Sequence, residues 1–167
     1  LVGPLTSLGK DSIEVMGQRV AIGSRILPRE IALGDRVAVS GLRRSNGLVV
    51  ASRIDAAKSS QRDLVRGTTE SEDELLRVGS LMVDASALSG PPGAQGRTVF
   101  KGTWDPAKKR LAAKARSASP RFDANARSAN VEGYVSRNIA GGLHVFGISL
   151  DGMRERLEPG TRVRVRA

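Results

Sequence analysis

The chain has 167 residues, a formal net charge of +10, 40% hydrophobic residues and 19 glycines, with no cysteine. The missing cysteines exclude disulfides and thiolate metal sites but leave the redox compartment open. No apolar run approaches the ~20 residues that a membrane-spanning helix needs. The sequence starts at Leu1 rather than Met and carries no signal peptide, so it reads as a processed or excised piece.

Along the chain one pattern returns three times, which predicts a tandem array of small β modules over residues 1–57, 65–119 and 131–167. Copy one opens with a short strand, Val2-Gly3-Pro4-Leu5. A hairpin follows, in which Ile13, Val15, Val20 and Ile22 alternate about Gly17-Gln18. A period of two means half-buried strands. After residues 24–33, which contain Pro28, the run Gly34-Asp35-Arg36-Val37-Ala38-Val39-Ser40-Gly41 predicts a fourth strand. Residues 48–54 predict a fifth, entered through Asn46-Gly47, a strong hairpin-turn signal.

Copy two repeats the scheme with Val65-Arg66-Gly67-Thr68, the turn at Gly79-Ser80, a fourth strand over residues 95–102 and a fifth over 110–116. Ser89-Gly90-Pro91-Pro92-Gly93 cannot be a regular helix and is expected to be a loop. The acidic run Glu70, Glu72, Asp73 and Glu74 falls in the expected first hairpin loop. Its spacing matches no calcium-loop pattern, so it reads as a solvated loop. Residues 112–130, rich in Ala, Arg and Ser around Pro120, read as a strand end and a linker, with Phe122 as a tether.

Copy three keeps Val131-Glu132-Gly133-Tyr134, a hairpin with Leu143, Val145 and Leu150 about Gly147, and a fourth strand over residues 160–167. Ala167 aligns with Gly41, so nothing in this sequence corresponds to residues 42–54 of copy one. Five short strands in about 50 residues favour closure into a small barrel over an open sheet with two bare edges. The commonest such solution is the oligonucleotide/oligosaccharide-binding (OB) barrel. The expectation is an all-β protein of three tandem OB-like five-stranded barrels, the third lacking its last strand.

Three runs carry a family resemblance: residues 13–20 (IEVMGQRV), 33–41 (LGDRVAVSG) and 47–54 (GLVVASRI). They resemble the bacterial domain-of-unknown-function family 5666. The resemblance implies OB-like β modules, often in tandem, in commonly exported proteins, and hence a periplasmic or extracellular location. It brings no catalytic residues with it.

The charge invites a second reading, a basic OB surface for nucleic acid or another polyanion. Two features weigh against it: the basic residues spread over all three copies, and no repeated slot is aromatic throughout. The residues singled out for anion or partner contact are Arg162, Arg164 and Arg166, which alternate with Val163 and Val165 on one strand face, together with Trp104 and Phe146. Trp104 precedes the Asp105-Pro106 turn, where it would pack the hairpin end or serve as a ligand platform. His144, the one histidine, reads as a surface residue.

No phosphate loop, nucleophile elbow, metal-ligand cluster or recognisable carboxylate pair is present in the sequence, so no catalytic, cofactor or metal residues are assigned. The favoured function is a non-enzymatic structural or protein-interaction module of the bacterial cell envelope, acting through barrel surfaces and strand edges. The strand that the third module lacks is expected from residues beyond this sequence, from a neighbouring chain, or from a partner in strand-addition fashion, so the expected partner is another protein or chain. Nucleic-acid or polyanion binding is the alternative.

Overall fold

The first module closes because its two would-be edge strands pair with each other. β1 (Val2–Leu8), β2 (Ser12–Val15), β3 (Gln18–Ala21), β4 (Arg36–Arg43) and β5 (Val49–Ala56) run in the order β1-β2-β3-β5-β4, and β4 pairs back onto β1. β3 and β5 are parallel and every other pairing is antiparallel, which closes a five-stranded barrel. The structure, a computed structural model, describes residues 1–23, 27–28, 30–44, 46–72, 75–89, 97–119, 127–128, 130–137, 141–145, 148–150 and 157–166. Among them there is no helix.

The alternation read from the sequence is the alternation that fills this barrel. Leu5, Ile13, Val15, Val20, Val37 and Ile54 are all buried in its interior. Burial of side chains of this size contributes roughly 1.5–3 kcal/mol each, so a few of them decide whether so small a domain folds. Ser52 of β5 is the extra residue opposite the Ser40–Gly41 step of β4, a bulge that bends this strand pair around the barrel. A Cβ at Gly41 would fall on the Val50 carbonyl.

The second module repeats these devices. β6 (Asp63–Thr68), β7 (Glu70–Glu72), β8 (Leu75–Val78), β9 (Leu81–Asp84), β10 (Arg97–Asp105) and β11 (Arg110–Ala118) pair in the order β6-β10-β11-β9-β8-β7. Since β7 continues β6 after Thr69, this run begins and ends on one bent strand. β9 and β11 are parallel, matching β3 and β5, and the bulge recurs between Lys101 and Gly102. The acidic run departs from the loop expected of it: Glu70–Glu72 is a strand paired to β8, and Glu70 forms an ion pair with Arg77 at 2.7 Å. The run Glu70-Ser71-Glu72 carries no apolar residue, so the sequence shows no period of two there. Asp73 and Glu74 lie outside the described residues, as does Phe122.

Modules one and two share a sheet and a core. β1 pairs antiparallel with β6 at Val2 and Leu64, making eleven continuous strands. One cluster of buried side chains runs from Leu5 of the first module to Leu111 and Ala113 of the second.

Among the described residues the third module shows five strands in two pieces. β12 (Asn130–Tyr134) pairs with β16 (Arg162–Arg166); β13 (Ser136–Arg137), β14 (Leu143–Val145) and β15 (Ile148–Ser149) form a second small sheet. Its core gathers Val131, Val135, Val145 and Leu150. Tyr134 carries the Arg44 guanidinium over its ring, 5.3 Å from the centroid, so the third module touches the end of β4 in the first.

Candidate functional site

The β12–β16 pair of module three is built like the β1–β4 pair of module one. Gly133 stands opposite Val163 as Gly3 stands opposite Val37. The turn before the fourth strand is also the same: Gly160 N–H donates to the Val135 carbonyl (2.8 Å) as Gly34 N–H donates to that of Leu5 (2.9 Å), both glycines having φ near +90°. This fixes the equivalences Arg162 with Arg36, Val163 with Val37, Arg164 with Ala38, Val165 with Val39 and Arg166 with Ser40.

The difference lies on the other side of the strand. β4 is flanked by β1 and β5, and β10 by β6 and β11, whereas β16 pairs only with β12 among the described residues. In module one the Leu5 N–H bonds the Asp35 carbonyl on the β1 side, and the Ala57 N–H bonds the Arg36 carbonyl on the β5 side. Backbone polarity alternates along a strand, so the amides and carbonyls of Arg162, Arg164 and Arg166 face the side of β16 away from β12. The inward side chains record the same asymmetry. Val37 and Val39 are 0% and 6% exposed, while Val163 and Val165 stay half-buried.

The arginine row stands exposed on the outer face of β16. Glu132 on β12 bridges two of its members, through Oε1 to Arg162 Nη2 (2.5 Å) and through Oε2 to Arg164 Nη2 (3.0 Å). The Arg164 hydrogen bond, then that of Arg162, holds the Glu132 carboxyl below its ordinary range. Arg166 makes no ion pair among the described residues. Phe146 lies outside the described residues.

Trp104 belongs to the junction of modules one and two. Its ring lies 3.4 Å from where a Cβ on Gly17 would stand, its backbone N–H donates to Asp63 Oδ2 (2.6 Å), and its indole packs on the shared core. Asp63 is buried and also pairs with Arg36 of module one at 2.7 Å. The reciprocal contact is made by Arg43. Both Arg43 and Trp104 stand two residues after the bulge glycine of their fourth strands, and the Arg43 guanidinium covers Gly79 as Trp104 covers Gly17. Gly17 and Gly79 have φ of +70° and +67°, a conformation that glycine adopts without strain. Burial lowers the Arg43 pKa from its ordinary value, and its Nη1 donates to the Gly47 carbonyl at 2.8 Å.

Sequence reasoning missed Arg43, Asp63 and Glu132. The repeat offset that aligns Gly41 with Gly102 also aligns Arg43 with Trp104, and that was the available signal. His144 is half-buried on β14, opposite Ser136 and Ser149. A small cleft of about 270 Å³, lined by Arg19, Asn46, Gly47, Leu48 and Ser80, lies between the first two modules.

Residues 2–55 match a family model described as "Domain of unknown function (DUF5666)". No curated protein and no solved structure matches the chain.

Proposed function

We propose, from the premise that residues 2–55 belong to domain-of-unknown-function family 5666, that this chain is a non-enzymatic protein-interaction module of the bacterial cell envelope. It works through barrel surfaces and strand edges, and its contact element is β16. One observation carries the reading: β4 and β10 each have two partner strands, and β16 has one among the described residues. Unpaired backbone groups beside half-buried valines are a template for another strand. Modules one and two serve as the rigid base, because their sheet and core are continuous. The periplasmic or extracellular location rests on the family resemblance.

The test is site-specific photo-crosslinking in intact bacteria from position 163, with position 33, an exposed site on module one, as control. The reading expects a protein adduct from position 163, in the envelope fraction, that position 33 does not give. Equal adducts from both positions, a cytosolic product, or crosslinks to nucleic acid would count against it.

A further inference from the structure

We infer that β16 accepts an extended acidic segment patterned like a fifth strand, with apolar side chains at alternate positions facing in and carboxylates facing out toward Arg164 and Arg166. The inference deepens the strand-edge reading above and rests on it.

The two complete modules supply the register. In module one β5 runs antiparallel to β4, with the buried Ile54 opposite Val39 and Ala56, exposed at the strand's end, opposite Val37. Asp55 stands opposite Ala38 and Arg53 opposite Ser40 on the outer face. Carried across the equivalences, the inner positions of an incoming strand meet Val165 and Val163. These are the side chains left half-buried where their counterparts in module one are covered. The outer positions meet Arg164 and Arg166. Among the described residues the three arginines there face one glutamate, Glu132, which is already shared between Arg162 and Arg164. An incoming arginine at the Arg53 position would therefore meet Arg166 as a like charge, whereas a carboxylate would be neutralised by it. Cross-strand pairs of opposite charge stabilise a sheet, and like charges directly opposite destabilise it. Backbone pairing along the edge gives affinity and the alternate side chains give selectivity.

The experiment uses the full chain and two fluorescent peptides: residues 48–56 of this sequence, and the same peptide carrying R53E. Anisotropy titration at physiological salt is expected to show the R53E peptide binding at least threefold more tightly than the unmodified one. A double variant of the chain, R164E with R166E, alters only exposed side chains and is expected to reverse that preference. A scrambled peptide of the R53E composition, with the apolar alternation destroyed, is expected not to bind. Equal binding of the scrambled peptide would overturn the inference by reducing it to charge attraction. So would a preference that R164E/R166E leaves unchanged. Self-association of the chain that the R53E peptide fails to compete would overturn it in favour of a second copy as occupant. If no peptide binds while position 163 still crosslinks to a protein in cells, the acidic-strand inference fails and the interaction reading survives. If neither occurs, both fail.

Discussion

Gln18 and Ser80 occupy the same position in successive repeats, and in the folded chain they meet: Gln18 Nε2 donates to Ser80 Oγ at 2.5 Å. The residue before each does the same with a strand-four residue of the other module, Gly17 with Trp104 and Gly79 with Arg43. Contact between equivalent positions is the mark of a two-fold relation, here between two copies within one chain. The two first strands agree with it, pairing antiparallel where they meet.

Modules one and two are therefore expected to unfold together. Trp104→Ala removes a ring that packs on the shared core and covers Gly17 of the neighbouring module. A fully buried Trp→Ala costs about 3–5 kcal/mol, and the half-exposed ring at this site warrants about 2–3. Urea unfolding gives the magnitude. Hydrogen exchange shows whether β2 and β3 of module one lose protection along with β10 and β11, as a single cooperative unit requires.

Gly79→Ala tests the reciprocal contact. The new Cβ meets the Arg43 guanidinium and adopts φ of +67°, and a left-handed backbone costs an L-residue about 1–2 kcal/mol by itself. The variant is expected to lose at least that much, and Gly34→Ala, which has a similarly positive φ but open space around it, less.

Asp63 ties the modules electrostatically, accepting from the Trp104 N–H and pairing with Arg36. Asp63→Ala leaves the Arg36 side chain, 21% exposed, without its carboxylate. Breaking one side of a buried pair costs about 3–5 kcal/mol, and the partial exposure of Arg36 places this one near about 3. Loss below about 1 kcal/mol in chemical denaturation would show the pair to be unimportant.

The Glu132 carboxyl, held low by Arg164 and then Arg162, sets the sign of a pH effect. A carboxylate whose folded pKa lies below its unfolded value near ~4.3 favours the folded state above that value. The favour is lost as pH falls through the folded pKa. NMR titration should place Glu132 below an ordinary glutamate, and Arg164→Ala should bring it back up.

Association with polyanions is expected to be governed by charge. With about three arginines in contact, the logarithm of affinity for a single strand should fall with the logarithm of salt at a slope near about −2. Trp104→Ala should leave it unchanged, because that ring is committed to Gly17. Tight binding at physiological salt, lost with Trp104→Ala, would favour base stacking instead.

Much of the fold was legible in the sequence because turn glycines and alternating valines report local geometry. Gly34 and Gly160 mark the same turn, and Gly41 and Gly102 the same bulge. What was not legible is how copies meet. The Val2–Leu64 pairing, the Asp63–Arg36 pair and the seat of Trp104 join residues whose neighbours in sequence carry no period that points across modules. Trp104 beside Asp105-Pro106 reads as a turn residue until the neighbouring barrel is present. The arginine row was legible as a face, while its counter-charge Glu132 was not, because β12 and β16 are brought together only by the fold.

The claim that β16 offers an open edge is tested most directly by amide hydrogen exchange across Arg162–Arg166 in the chain alone. The account predicts alternation, with Val163 and Val165 slow because they bond to β12, and Arg162, Arg164 and Arg166 fast. In the same experiment Arg36 and Ala38 of β4 should be slow, since β5 pairs beside them. Slow exchange at Arg164 and Arg166, matching Ala38, would mean that a strand already occupies that edge and would contradict the account.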